Sequence, residues 1–223
     1  LYIASAYYYK CADIVAKSAK ILGYEEADQY AALAGDILTA IREKYFDEEG
    51  HCICQTQTGS ALAIQFGLSQ KPEEEGDILD QRIRDNGGYL NTGFVGTPLL
   101  CQALTKTGHH KTAVDLLLNE EYPGWLYSVN LGATTIWERW NSVLPDGTIS
   151  SEEMNSLNHY TYGSIEAWMF ADVCGIRQAA PGFKTAVIAP HPDSRLGYLK
   201  GKLSTAAGDY ESSWEYRDGK ILY

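Results

Sequence analysis

The sequence predicts a mainly α chain that closes with a short β segment. Three observations carry this. Through most of the first 175 positions, apolar residues recur at the spacing of a helix with one buried face. After Gly175 that period is lost, and Pro181, Pro190 and Pro192 punctuate the chain. Asp218-Gly219 then stands between two predicted strands, a strong hairpin-turn signal. Helices first and strands afterwards imply separate packing units. The chain is therefore divided into a helical portion, residues 1–178, and the start of a β domain, residues 179–223.

The elements follow in order. Cys11, Ile14, Val15, Ser18 and Leu22 form one helical stripe, and Gly23 stands where a left-handed C-terminal cap belongs. Tyr30, Ala34, Ile37, Leu38, Ile41 and Tyr45 form the next stripe. Glu25 and Glu26 precede it and Arg42 and Lys44 end it, matching the helix dipole. The two helices are expected to pack antiparallel as a hairpin. Ser60 to Leu68 predicts a short apolar helix and Glu73 to Arg84 a more polar one. Pro98 suits a first helical position, with Leu99, Leu100, Ala103 and Leu104 behind it and Gly108 as the stop. Lys111 to Leu118 predicts another helix, and Thr134 to Trp140 is expected to begin one more. Asn158 is expected to cap a last helix running to Cys174, with Ile165, Trp168, Met169 and Val173 inward and Gly175 ending it. The total is about eight helices in pairs. Ala186 to Ala189, Tyr198 to Thr205, Tyr210 to Tyr216 and Lys220 to Tyr223 read as strands.

Composition narrows the function. The 223 residues carry 18 basic and 29 acidic side chains, a net charge of −11 with no basic run. That excludes phosphate-backbone binding and an anionic membrane surface as partners. No apolar run approaches the roughly 18–20 residues of a membrane span. Five cysteines, an odd number, argue against a disulfide framework and for a reducing, cytoplasmic setting. Tyr (16) and Trp (5) outnumber Phe (5) and Met (2), so aromatic rings with a polar handle dominate. Such rings suit a wet cleft that stacks on sugars, and they also suit ordinary cores. The chain starts at Leu1 without an initiator Met and ends inside a predicted strand, so it is expected to be a piece of a longer protein.

Three loops concentrate the unusual residues. The segment from Asp85 to Pro98, which includes Gly87-Gly88 and Asn91-Thr92-Gly93-Phe94-Val95-Gly96, lets a backbone turn sharply and approach a ligand. It is neither a Walker loop nor a dinucleotide fingerprint, because the Gly-Lys-Ser/Thr ending and a preceding parallel strand are absent. A Gly-rich connection with no ligand is the other reading. In Gly132-Ala-Thr-Thr-Ile-Trp-Glu-Arg-Trp140, Glu138 is flanked by two tryptophans and an arginine. Apolar rings raise a carboxyl pKa and an adjacent guanidinium lowers it, so Glu138 suits a general base. A surface ion pair beside two core aromatics remains open for it. In Met154-Asn-Ser-Leu-Asn-His-Tyr-Thr-Tyr-Gly163, His159 lies 21 residues beyond Glu138 among hydroxyl- and amide-bearing neighbours. An imidazole there either binds sugar hydroxyls or serves structure. His51, Cys52 and Cys54 lack a second pair at zinc spacing, so no metal is expected. No Gly-x-Ser-x-Gly elbow is present.

Taken together, Asn91-Thr-Gly-Phe-Val-Gly-Thr-Pro, Thr135-Ile-Trp-Glu-Arg-Trp and Asn158-His-Tyr-Thr-Tyr-Gly-Ser resemble the α-L-rhamnosidases of glycoside hydrolase family 78. Ile188-Ala-Pro-His-Pro and Gly208-Asp-Tyr-Glu-Ser-Ser-Trp-Glu-Tyr are similar to the start of the β domain that follows the catalytic domain there. The resemblance implies part of an (α/α)6 barrel of the six-hairpin glycosidase type, followed by a short β-sandwich segment. It implies removal of terminal α-L-rhamnose from rhamnosides with inversion of configuration and no cofactor. By that resemblance Glu138 matches the general base and His159 a sugar-binding residue. Trp137, Trp140 and Asn91 are expected to line the cleft, by adjacency. The family's general acid has no convincing match. Asp80-Gln-Arg-Ile-Arg-Asp85 has the right residue types but lies too close to the Gly-rich loop, so the acid is expected upstream of Leu1. A partial barrel exposes apolar helix faces, so homo-oligomerisation is expected. Another (α/α)6 glycosidase with a different sugar, or a non-catalytic carbohydrate-binding fragment, are the rival readings.

Overall fold

The computed structural model describes residues 1–150 and 153–223. They form two compact units, Leu1–His109 and His110–Tyr223. None of the described helices is long and apolar enough to cross a membrane.

The first unit opens with α1 (Tyr2–Leu22) and α2 (Ala27–Tyr45). Gly23 adopts φ 74°, and the Tyr24 amide donates to the Ala19 carbonyl at 2.9 Å, closing α1 with the expected left-handed cap. Tyr2 meets Tyr45 edge-on with ring centroids 5.2 Å apart, so the start of α1 lies beside the end of α2 and the hairpin is antiparallel. The stripe of α2 is the one the spacing picks out from Ala34 onward: Ala34 and Ile41 are buried, and Ile37, Leu38 and Tyr45 half-buried, whereas Tyr30 is exposed. On α1 the stripe is corrected. Tyr2, Ala6, Ala12, Ala16 and Ala19 are buried, whereas Ile14, Val15 and Leu22 are exposed. Two apolar stripes compete on α1, and the alanine side lets the helices approach closely.

Three shorter helices complete this unit: α3 (Gln57–Gln65), α4 (Pro72–Asp85) and α5 (Thr97–Lys106). Thr56 caps α3 by accepting from the Gly59 amide at 3.0 Å. Pro72 starts α4, and Glu73, Glu74 and Glu75 fill its first turn. Glu75 is fully buried; its Oε2 accepts from the Cys52 amide at 3.0 Å and its Oε1 lies 3.8 Å from Arg82 Nη1. The core joins Tyr2, Ala6, Ile41, Cys52, Leu62, Ala63 and Leu68.

The second unit begins with α6 (His110–Leu117) and α7 (Trp125–Asn130). Residues 134–140, expected to begin a helix, form turns and bends instead: the Glu138 amide donates to the Ser156 carbonyl and the Arg139 amide to Ser142 Oγ, while the Ile136 carbonyl accepts from the His159 amide. The last helix is also corrected. It starts at Thr161 rather than after an Asn158 cap, as a 3-10 turn (Thr161–Ser164) followed by α8 (Ile165–Trp168) and a π-helical turn (Met169–Val173). Trp168 and Val173 point inward as expected. Gly175 (φ 78°) ends it, with the Ala189 amide bonded to its carbonyl at 2.9 Å.

The strands are all antiparallel. β1 (Ile176–Gln178) pairs with β2 (Ala186–Ile188), and β3 (Tyr198–Thr205), β4 (Gly208–Arg217) and β5 (Lys220–Leu222) form a second sheet in that order. Asp218 (φ 51°) and Gly219 (φ 73°) make the β4–β5 turn, both left-handed as a type I′ turn requires. The sheet is tied to the helix end. Trp214 Nε1 donates to the Val173 carbonyl at 2.9 Å and Ser212 Oγ to the Cys174 carbonyl at 2.6 Å. Nearby, His110 stacks between Trp168 (centroids 5.6 Å) and His191 (4.9 Å), and its Nε2–H donates to the His191 carbonyl at 3.1 Å.

Two stability experiments follow from this packing. A Cβ on Gly175 would lie 2.1 Å from Pro190 N and 2.3 Å from Ala189 C in addition to the strained φ, whereas Gly23 faces open space. Gly175→Ala is expected to cost about 3 kcal/mol or more and Gly23→Ala about 1 kcal/mol, read as melting temperatures. Equal losses would refute the close approach at Gly175. Burial, reinforced by His191, lowers the His110 pKa below its ordinary value. The unfolded chain therefore takes up this proton first as pH falls. His110 contributes full stability above about pH 6.5 and loses it as pH drops below that value. His110→Phe keeps a ring in the stack and should flatten the slope of stability between about pH 6.5 and 5.

Candidate active site

Hydrogen bonds in the second unit tie the segment carrying Glu138 to the segment carrying His159, as a ribbon without regular strand pairing. The Glu138 amide donates to the Ser156 carbonyl at 2.8 Å, and the His159 amide to the Ile136 carbonyl at 2.7 Å. The Glu138 side chain adds a third rung: Oε2 accepts from the Ser156 amide at 2.7 Å. Thr135 Oγ1 donates to the Leu157 carbonyl, closing the ribbon. Glu138 is half-buried, and one of its carboxylate oxygens is fixed in direction by a backbone donor.

Arg139 does not reach across to that carboxylate. Its Nε and Nη2 donate to the carbonyls of Met154 and Glu153, each at 3.1 Å. The guanidinium thus holds the ribbon's far end. Ser142 Oγ accepts from the Arg139 amide at 3.0 Å, and Asn155 Nδ2 donates to the Ser142 carbonyl at 3.1 Å.

Trp137 is buried, so its indole packs inward. Trp140 is half-buried and stacks on Tyr162 with centroids 3.9 Å apart and planes 12° apart. Trp125 meets Trp140 edge-on at 5.2 Å and donates from Nε1 to the Tyr162 carbonyl at 2.9 Å. Burial, with Tyr122 and Glu138 adding negative potential, raises the Tyr162 pKa. The two tryptophans around Glu138 therefore belong to an aromatic wall that supports the ribbon. His159 is half-buried and stacks flat on Tyr160, with centroids 5.3 Å and planes 10° apart. Its Nδ1 lies 3.4 Å from the Thr161 amide, which donates to it. A neutral imidazole accepting at Nδ1 carries its proton on Nε2.

Asn91 lies in the first unit, on the wall of a cleft of about 680 Å³ that Arg82, Asp85 and Phe94 also line. Its amide donates to Gln57 Oε1 at 2.7 Å, and Gln57 Nε2 donates to the Tyr89 carbonyl at 3.0 Å. Buried Gln57 is thus a support for the Gly-rich loop that the spacing of glycines did not reveal. A Cβ on Gly96 would lie 2.3 Å from Thr58 Oγ1, so close packing accounts for one of the loop's glycines. Asp80 is buried and paired with Arg84 and with His109 Nδ1 at 3.6 Å, which commits it to structure. Asp85 accepts from Gln81 at 2.7 Å.

Among the described residues, no group of three His, Cys, Asp or Glu side chains is placed to hold a metal ion. His51 pairs with Glu74 at 2.9 Å. Cys52 is buried, and burial pushes its thiol up to about 11.

Residues 1–173 match the bacterial alpha-L-rhamnosidase 6 hairpin glycosidase domain, and residues 175–223 the bacterial alpha-L-rhamnosidase C-terminal domain. The chain is 38% identical over 219 residues to an alpha-L-rhamnosidase of Alteromonas sp. (strain LOR), covering 95% of this chain and 24% of that protein. It is 39% identical to one of Formosa agariphila, covering 99% of this chain and 24% of that protein. Among solved structures, the Streptomyces avermitilis alpha-L-rhamnosidase complexed with L-rhamnose superposes with a TM-score of 0.93 at 35% identity, over 99% of this chain and 22% of that one. The Aspergillus terreus enzyme gives a TM-score of 0.89 at 32% identity, over 94% of this chain and 25% of that one. The chain therefore spans about a quarter of the length of these relatives. With its six-hairpin helical portion and its C-terminal antiparallel strands both matched, the chain belongs to the bacterial α-L-rhamnosidase family of six-hairpin glycosidases.

Proposed function

We propose that this chain carries the water-activating half of an α-L-rhamnosidase active site, with Glu138 as general base and His159 as a sugar-binding residue. The observation that carries the reading is the set of hydrogen bonds that ties Glu138 to Ser156 and His159 to Ile136, so that the two segments carrying these residues lie side by side. The substrate class is a glycoside with a terminal α-L-rhamnosyl unit, by analogy with the relatives.

The Ser156 amide holds Glu138 Oε2, so the other oxygen is the one to take a proton from water. The resulting hydroxide attacks the anomeric carbon from the face opposite the leaving group, and configuration inverts. Such a reaction needs a carboxylic acid about 6.5–9.5 Å from the base, to protonate the departing oxygen while leaving room for water. We place that acid outside residues 1–223, upstream, where the family resemblance puts it; Asp80 is buried and paired. With its proton on Nε2, His159 can donate to a rhamnose hydroxyl.

Hydrolysis of α-L-rhamnosyl fluoride tests the base, because fluoride leaves with little help from an acid. In protein containing the whole catalytic domain, Glu138→Gln is expected to lower turnover by about 10²–10⁴-fold. Azide should restore Glu138→Ala as the β-rhamnosyl azide, and the first sugar formed by the unmutated protein should be the β anomer by NMR. Turnover unaffected by Glu138→Gln would refute the assignment, and turnover of a different glycosyl fluoride in preference would refute the sugar. For His159, Asn keeps an acceptor near the Thr161 amide but lacks the Nε2 donor. His159→Asn is expected to melt close to the unmutated protein while kcat/KM falls about tenfold, or roughly 1.4 kcal/mol. Normal kcat/KM with a lowered melting temperature would assign His159 to folding instead.

A further inference from the structure

Ser142 is not used by the reaction just described. It stands two positions after the Trp-Glu-Arg-Trp string and is fully buried. Its Oγ accepts from the Arg139 amide at 3.0 Å and donates to the Arg139 carbonyl at 3.1 Å. One hydroxyl thus takes both backbone groups of the residue that follows Glu138. The Ser142 amide donates to the same carbonyl at 3.2 Å and closes the turn. The Ser142 carbonyl serves the other side, accepting from Asn155 Nδ2 and from the Ser150 amide, each at 3.1 Å.

These contacts close a ring around the carboxylate. Asn155 precedes Ser156, whose amide donates to Glu138 Oε2 at 2.7 Å and whose carbonyl accepts from the Glu138 amide at 2.8 Å. From Glu138 the path runs through the peptide bond to Arg139, then to the Ser142 hydroxyl and carbonyl. It continues through Asn155 and the next peptide bond to Ser156, and returns to Glu138 Oε2. The backbone of Glu138 and the amide that orients its side chain are therefore both fixed to one buried residue. Residues 143–149 back that residue from outside. Val143 bridges to Ile149, the Leu144 amide donates to the Thr148 carbonyl at 2.8 Å, and Tyr127 Oη of α7 donates to the Val143 carbonyl at 3.0 Å. Removing the Ser142 hydroxyl leaves the Arg139 amide without this acceptor and opens the ring.

We propose that Ser142 is a positioning residue for the base, setting through Arg139 on one side and Asn155 and Ser156 on the other where the free carboxylate oxygen of Glu138 stands. The proposal deepens the reading of Glu138 as general base and rests on it. Ser142 moves no proton and binds no sugar; it acts only through Glu138. Misplacing a reacting group by about 1 Å costs on the order of 10²-fold in rate, so slack in this ring is expressed in kcat rather than in KM.

The test uses α-L-rhamnosyl fluoride and protein containing the whole catalytic domain. Ser142→Ala is expected to lower kcat about ten- to a hundredfold with KM unchanged. Asn155→Ala opens the ring at its other link and should give a loss of the same kind. The double variant should lose little more than the worse single one, because both break one ring. Ser142→Thr keeps the hydroxyl and should recover most of kcat. The deciding measurement removes the base. In Glu138→Ala with azide, a bond forms from azide to the anomeric carbon and fluoride leaves with its electron pair. The rate of that reaction should be the same whether or not Ser142→Ala is also present. A further loss there would show that Ser142 serves the fold at large and would overturn the proposal. Unchanged kcat in both single variants, or a loss carried by KM, would overturn it while leaving Glu138 standing. Should Ser142→Ala fail to fold, Asn155→Ala, alone and combined with Glu138→Ala, gives the same decision. Turnover unaffected by Glu138→Gln would overturn the underlying reading and this proposal with it.

Discussion

The pairing of residues 136–138 with residues 156–159 is the constraint on which the candidate site depends. Without it Glu138 and His159 are separated by 21 positions of chain, much of it loop. Each backbone rung is a modest contribution, about 0.5–1.5 kcal/mol net. The Glu138 side chain adds one more bond of this kind, from the Ser156 amide to Oε2. The same bond does two things. It satisfies the Ser156 amide, and it fixes the direction in which Glu138 presents its other oxygen. The proposed base is therefore also a fold contact, as expected where a site is held on a short ribbon rather than on a long helix.

Around that ribbon the supports are of two physical kinds. On one side is the aromatic wall of Trp125, Trp140 and Tyr162, whose stacked and edge-on contacts leave little freedom to the backbone carrying Glu138. On the other is a set of carbonyl contacts made by Arg139, Ser142 and Asn155. Arg139 is consumed in this second set, so its charge serves geometry rather than the titration of its neighbour. The division explains two members of the Trp-Glu-Arg-Trp string: Trp140 belongs to the wall and Arg139 to the carbonyl contacts.

The end of the helical portion shows a related economy. The π-helical turn at Met169–Val173, Gly175 and the Pro190 strap meet within van der Waals distance, and Trp214 and Ser212 of β4 bond to carbonyls left over at the helix end. The C-terminal strands thus do for this helix what a capping side chain would do elsewhere. Asn158, which has the chemistry of an N-cap, does not serve as one at the other end. Its place is taken by His159 Nδ1, bonded to the Thr161 amide.

By itself the sequence determined the alternation of α1 to α6, the Gly23 and Gly108 stops, the β3–β4–β5 hairpins and the string of residues around Glu138. These rest on local rules, a period of 3.6 or 2 and a glycine where φ must be positive, and local rules are written in neighbouring residues. It also named Glu138, His159, Trp137, Trp140 and Asn91 as candidates, through composition and resemblance. Only the tertiary structure decided which face of α1 is buried, since two apolar stripes compete there and the partner helix chooses between them. It alone decided that residues 134–140 are not helical, because the Glu138 amide and the Ile136 carbonyl find partners at Ser156 and His159, far along the chain. It alone separated Trp137, which is buried, from Tyr160, which is exposed beside His159. Burial is a property of what surrounds a side chain in space, and a string of residues does not contain it.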